Sequence, residues 1–255
     1  MTHTELQLDK YDTDKITNCY LNRYDQIFES MQDKKVVLLE LGILKGGSLL
    51  LWRDYFPKGS IVGIDLNLPN EFKDTERIHI YKGSQADTKF LSDVANEIAT
   101  EGFDIIIDDA SHIGELTKVA FWHLFDNHLK PNGLYIIEDW GTGYWDDWPD
   151  GRTLDLELYS QSPLFTTKVA AKSHMQNHIY GMINYIKQLF TTRMAAKSPM
   201  QNHSYGMVGF IKQLVDEQGA GDVSRKNLAG KSIRGSKFES ITIFPCIVIV
   251  KKSKY

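Results

Sequence analysis

Phe103-Asp-Ile-Ile-Ile-Asp-Asp-Ala-Ser-His112 is the stretch whose reading decides the fold. Its first five residues are a short apolar run dominated by isoleucine, the pattern of a strand buried on both faces. The run ends in Asp108 and Asp109, and His112 follows. Open α/β sheets present chemistry to a ligand at the C-terminal ends of buried parallel strands. Gly133-Leu-Tyr-Ile-Ile-Glu-Asp139 repeats the design, an apolar run closed by Glu138 and Asp139. Side by side, two such strands bring four carboxylates and one imidazole together.

Upstream, residues 36–41 (Val-Val-Leu-Leu-Glu-Leu) read as the first strand. Gly42, Gly46 and Gly47 follow, then Ser48 and a helical pattern through Leu50, Trp52 and Phe56. Strand, glycine turn and helix form a nucleotide-binding opening: glycine lets the backbone approach a ligand closely, and the helix start offers free N–H groups. The same turn also serves plain strand-to-helix geometry. Ser48 is expected as the N-cap. The spacing is not G-x-G-x-x-G, so the dinucleotide fingerprint is missing, which disfavours a nicotinamide dehydrogenase. Glu40 at the strand end would repel a pyrophosphate and suits a cationic ligand.

The second strand, residues 61–66, ends near Asp65, about 25 residues after Glu40. An acid there accepts ribose hydroxyls in nucleotide-binding sheets or serves as a turn residue. The third strand, residues 78–83, leads to Gln85, suited to an adenine edge, and to Asp87, a cap for a helix over residues 88–98. Before the first strand, Tyr20, Leu21, Tyr24, Ile27 and Phe28 recur at helical spacing and form one apolar face, which either covers one edge of the sheet or serves the substrate. His123 and His128 lie on the helix after the fourth strand, in structural or surface roles. Residues 240–244 and 246–250 flank Pro245 as two closing strands, adding an antiparallel strand to the sheet.

Two stretches stand apart. Residues 140–150 carry four aromatics among acids and glycines, either to stack on a sugar or polyketide face or to pin the loop to the body. Residues 165–189 are echoed by 190–214 at an offset of 25, with 18 of 25 positions identical. Ser198-Pro199 interrupts the junction, so the copies are expected as separate helices. One sheet needs one such helix; the second copy is assigned to it and the first to the surface or a neighbouring subunit.

The chain has 255 residues, 42% hydrophobic and 24% charged, with a net charge of -4. It lacks the clustered Lys and Arg of a general nucleic-acid binder, and Lys251-Lys-Ser-Lys254 reads as a solvated end. Two cysteines are too few for a disulfide framework. The polar opening residues lack a signal-peptide core, and no apolar run approaches the ~18 residues of a membrane span. A soluble, reduced, cytoplasmic protein is expected, with no nucleic acid or membrane among its partners.

Several motifs together resemble the class I S-adenosylmethionine-dependent methyltransferases. They are Thr13-Asp-Lys15, Leu38-Leu-Glu-Leu-Gly42 with Gly46-Gly47-Ser48, Ile64-Asp65, Ile107-Asp-Asp-Ala-Ser-His112, Gly133 to Asp139 with Tyr144-Trp145, and Ser204-Tyr-Gly-Met-Val-Gly-Phe210. More narrowly, the chain resembles the macrocin, mycinamicin and rhamnosyl-tetracenomycin group of sugar O-methyltransferases, whose relatives include cephalosporin hydroxylase-like proteins. The resemblance implies a Rossmann-like α/β fold: a seven-stranded, mostly parallel sheet with helices on both faces and an antiparallel C-terminal strand. It implies an N-terminal helical cap over residues 1–35 and a cofactor-binding domain over 36–255. It assigns Glu40, Gly42, Gly47, Ser48, Asp65, Gln85 and Asp108 to adenosylmethionine, Asp109, Glu138 and Asp139 to Mg2+, and the role of general base to His112. The partner it implies is a small hydroxylated, glycosylated acceptor, with a homo-oligomer as the assembly. A non-catalytic or scaffold member that binds adenosylmethionine without turnover is the alternative, and the four intact acid and imidazole positions argue against it.

Overall fold

The computed structural model describes residues 3–69, 75–145, 148–151, 206–227 and 229–254. Seven strands are present among them: β1 (Val37–Leu41), β2 (Ser60–Asp65), β3 (Ile78–Lys82), β4 (Phe103–Asp108), β5 (Leu129–Glu138), β6 (Phe238–Ile243) and β7 (Ile247–Lys252). They form one sheet in the order β3-β2-β1-β4-β5-β7-β6. The first five strands pair in parallel, and β7 runs antiparallel to both β5 and β6. The expected mostly parallel sheet with antiparallel closing strands is therefore what forms. The chain winds outward from β1 to β3 and then returns to β4 on the other side of β1. That reversal leaves a crevice at the C-terminal ends of β1 and β4, where doubly wound sheets hold ligands.

Alternation along each strand sorts side chains into two cores. Leu39, Leu41, Val62, Ile64, Ile106, Tyr135 and Ile137 face one helical layer, containing α4 (Thr88–Ile98), α5 (Gly114–Asn127) and α6 (Gly206–Gln218). Leu38, Ile61, Ile105, Ile107 and Ile136 face the other, with α2 (Leu21–Phe28) and α3 (Gly47–Tyr55). There Tyr24, Phe28, Trp52, Tyr55 and Phe56 make an aromatic cluster with ring centroids about 5–6 Å apart. The expected apolar face on the early helix is thus buried against the sheet's own α3. No described helix is long and apolar enough to cross a membrane.

Two local expectations change. Ser48 does not cap α3; the cap position is Gly46 at φ 83°, and the Ser48 hydroxyl lies one residue inside the helix and donates to Glu40 Oε2 at 2.7 Å. The left-handed glycine turns the chain earlier than the serine. The fifth strand starts at Leu129 rather than Gly133, and the pairing with β4 shifts between Phe103 and Ile105. Pro131 has no N–H to pair, and Asn132 is left-handed at φ 62°, so these residues bulge while the strand continues. The entry region is broken, with α1 (Asp14–Thr17) ending in the left-handed Cys19 before α2 begins.

Asp87 does cap α4, accepting from Phe90 N at 3.0 Å. The place expected for the second copy of the repeat is filled by α6, whose Met207, Phe210, Ile211 and Leu214 are buried against α5 and the sheet. The first copy, residues 165–189, and residues 190–205 of the second lie outside the described residues.

Candidate active site

Three parallel strands end side by side and deliver Glu40 from β1, Asp108 and Asp109 from β4, and Glu138 and Asp139 from β5. Glu40 and Glu138 follow the strand alternation toward the α2–α3 layer, where both are fully buried. Bare carboxylates cannot stay charged there without partners. Lys15 supplies one. Its side chain is 0% exposed, and Nζ lies 2.7 Å from Asp109 Oδ2, 2.7 Å from Glu138 Oε2 and 3.2 Å from Glu40 Oε1. Burial alone would push this ammonium down; the surrounding carboxylates of Asp109, Glu138 and Glu40 outweigh it and hold Lys15 well above its ordinary value. Burial raises Glu138 and Glu40, with Lys15 as the main opposing influence. Tyr24 donates its hydroxyl to Glu138 Oε1 and Tyr20 donates to Asp139.

The outer side of this cluster is open to solvent. His112 sits in the left-handed region at φ 50°, and so does Asp139 at φ 53°. His112 Nε2 is 3.8 Å from Asp109 Oδ1 and 4.0 Å from Asp139 Oδ2, and all three side chains are 15–23% exposed. Trp148 Nε1 donates to the His112 carbonyl at 3.3 Å, and its ring lies 5.8 Å from the imidazole. Among the described residues, Asp109, His112 and Asp139 are the group able to gather around a metal ion, with one ligand atom each, all within 4.8 Å of one another. Two carboxylates open to water fit magnesium, a hard cation that takes oxygen ligands and keeps several waters. Glu138 enters differently from the expected triad, because both its oxygens already accept hydrogen bonds from Lys15 and Tyr24. A cavity of about 360 Å³ opens beside Asp139, lined by Asp14, Asn18, Tyr20, Thr142 and Trp145 among others.

The residues expected to face the cofactor lie at or just after the C-terminal ends of β1, β2, β3 and β4. Gly42 is at φ 86°, and a Cβ there would lie 2.2 Å from the Asp109 carbonyl oxygen, so the turn after β1 needs glycine to pass under β4. Asp65 accepts from the backbone N–H of Ile43 and Leu44 through Oδ2, and from Asn67 through Oδ1. Gln85 donates to Asp108 Oδ1 at 3.3 Å and accepts from Ser111 N at 3.1 Å, so its amide braces the turn before His112. Burial pushes the Asp108 carboxyl up to about 7 against hydrogen bonds from Tyr135 and Gln85.

Of the tryptophans after β5, Trp140 and Trp148 pin the loop through indole N–H bonds to Phe244 and His112 carbonyls, as the second reading of that loop expects, whereas Trp145 is 55% exposed at the cavity. His123 and His128 keep to a structural role, sharing the Ser92 hydroxyl at 2.8 and 2.9 Å. Sequence reasoning assigned no task to Lys15, Tyr20 or Tyr24. The one signal for Lys15 was its place in Thr13-Asp-Lys15; the tyrosines counted only as apolar helix positions.

No family model matches the chain. Curated relatives at 34–42% identity are O-methyltransferases, two of them of rhamnosyl-tetracenomycins and one of L-olivosyl-oleandolide. The mycinamicin VI 2''-O-methyltransferase of Micromonospora griseorubida is 39% identical over 129 residues, covering 48% of this chain and 31% of that protein. The demethylmacrocin O-methyltransferase of Streptomyces fradiae is 35% identical over 154 residues, 53% of this chain and 38% of its own length. The chain thus spans about a third of the length of the curated relatives it matches. Among solved structures, the MycE methyltransferase of the mycinamycin pathway, in complex with Mg, SAH and mycinamycin VI, superposes with a TM-score of 0.58 at 26% identity, over 92% of this chain and 49% of that one.

Proposed function

We propose that this protein is a magnesium- and S-adenosylmethionine-dependent O-methyltransferase acting on a hydroxyl of a sugar or glycosylated natural product. The observation that carries the reading is the convergence of Asp109, Asp139 and His112 at the mouth of the β1–β4–β5 crevice, beside the glycine turn. It is supported by sequence relatives that are O-methyltransferases of glycosylated antibiotics and by a neighbouring structure that holds Mg and SAH. Both cysteines are free, in keeping with a cytoplasmic enzyme.

Glu40, Gly42, Gly47, Ser48, Asp65, Gln85 and Asp108 would form the cofactor side, and Asp109 and Asp139, backed by Glu138, would hold the metal. Bound adenosylmethionine supplies a methyl group on a sulfonium and is left as adenosylhomocysteine. A divalent ion held by these acids would supply Lewis acidity toward an acceptor hydroxyl. Magnesium prefers oxygen to imidazole, which leaves the His112 Nε2 free to accept the hydroxyl proton as the C–O bond forms. Tyr20 holds Asp139 in place through its hydroxyl. The exposed ring of Trp145 offers an apolar face to a sugar ring, and Asp14 and Asn18 offer hydrogen bonds to its hydroxyls.

The test is methyl transfer from labelled adenosylmethionine to glycosylated macrolide and polyketide acceptors. Chelator should abolish transfer and magnesium should restore it. Calorimetry should show adenosylhomocysteine binding and no NAD binding. Full turnover in chelator, or tight NAD binding without adenosylhomocysteine binding, would refute the reading.

A further inference from the structure

The ammonium of Lys15 touches acids from three strands, and those acids belong to opposite sides of the site. Glu40 lies on the cofactor side; Asp109 and Glu138 lie on the metal side. Each gives Lys15 one oxygen: Oε1 of Glu40, Oδ2 of Asp109 and Oε2 of Glu138. Glu40 Oε1 has no other partner, being buried and outside any hydrogen bond. Because Asp109 Oδ2 is held inward, Oδ1 is the oxygen left facing His112 and Asp139. The lysine thus selects which edge of Asp109 a metal meets.

The placement of Lys15 depends on the entry segment. Thr13 caps α1 by accepting from the Lys15 N–H at 3.4 Å, which fixes the first turn. Asp12 lies against the glycine turn so closely that a Cβ on Gly47 would come within 2.1 Å of the Asp12 carbonyl oxygen. An apolar side chain at position 15 would fill the same space but leave the buried Glu40 and Glu138 facing each other and the half-buried Asp109 without a counter-charge, a strongly unfavourable arrangement.

We propose that Lys15 is a positioning residue: the fixed counter-cation that couples cofactor-side Glu40 to metal-side Asp109 and Glu138 and sets the charge a divalent ion meets. The inference rests on the functional reading above for which side each acid serves. The Lys15 side chain is fully buried, and it acts through its three carboxylates.

A purely structural lysine and a charge-setting one differ in their effect on metal affinity. Mn2+ is titrated into the full chain by calorimetry, for the wild type, Lys15→Met and Lys15→Arg, and adenosylhomocysteine is titrated in parallel. Removing a positive charge a few ångströms from a dication should tighten Mn2+ binding by at least about tenfold. Adenosylhomocysteine affinity should fall, and turnover at saturating metal should fall by more than about tenfold, because Glu40 and Asp109 lose their orientation. Lys15→Arg keeps the charge and should bind Mn2+ within about threefold of wild type. Mn2+ affinity in Lys15→Met that is equal to or weaker than wild type would overturn the inference. Should Lys15→Met fail to fold, the double variant Lys15→Met/Glu138→Gln, which also removes one unpaired charge, should recover the fold; failure to recover it would equally overturn the inference. A wild type that binds no Mn2+ would overturn the functional reading instead. The adenosylhomocysteine titration then decides on Lys15, and unchanged affinity in Lys15→Met would count against it.

Discussion

Asp150 offers a quantitative test of how the turn carrying His112 is held. It is 3% exposed, and its Oδ2 accepts from Gly114 N at 3.2 Å and from Met207 N. It therefore ties the start of α5, two residues after His112, to the start of α6. Burial pushes its carboxyl from 3.8 up to about 6, with the two backbone N–H bonds opposing the shift. A folded-state value above the unfolded one means that the folded chain holds this proton more tightly. The stabilising contribution is therefore present in full below pH ~4 and is lost as pH rises through ~6. A shift of about two units corresponds to roughly 3 kcal/mol between those limits. Asp150→Asn presents a neutral carbonyl oxygen to the same two donors, since both converge on a single oxygen. Relative to wild type, the variant should gain stability between pH 4 and 7, moving Tm by on the order of 5 °C or more for a chain of this size. Thermal melts of both proteins across that range provide the measurement. Parallel curves, or a variant that loses ground as pH rises, would show that the carboxylate is stabilised by its N–H donors and that burial does not govern it.

Three further outcomes follow from the geometry. Gly42→Ala must adopt φ 86° and press a Cβ to 2.2 Å from the Asp109 carbonyl oxygen; it should cost roughly 2–4 kcal/mol in denaturant melts and abolish turnover. His112→Ala should lower turnover ~10²–10⁴-fold while adenosylhomocysteine affinity stays nearly constant, and a collapse of affinity with surviving turnover would remove His112 from the acceptor side. Deleting residues 165–189 should leave a folded protein that still binds adenosylhomocysteine, because α6 comes from the second copy; an insoluble or molten product would place the first copy in the core.

The sequence by itself determined the strands, their two-sided burial and the acids at their ends. Those features are local: a short isoleucine-rich run such as Ile105-Ile-Ile107 favours a strand covered on both faces, and the polar pair after it marks the strand's C-terminal end. Asp87 as a helix cap was legible for the same reason, since its partner is three residues away. Ser48 was misread because the capping position depends on where the backbone turns left-handed, and Gly46 turned first. The pairing of the acids was not legible, although Lys15 itself stood in the Thr13-Asp-Lys15 motif. Lys15 reaches Asp109 across 94 residues and Glu138 across 123, from a four-residue helix whose sequence reads as polar and exposed. Tyr20 and Tyr24 satisfied an apolar helical pattern while their hydroxyls went to Asp139 and Glu138. Periodicity along the chain records which face a residue turns inward. It does not record which charge waits there. That depends on long-range packing, because a buried charge is tolerated only where tertiary structure brings its counter-charge within a few ångströms.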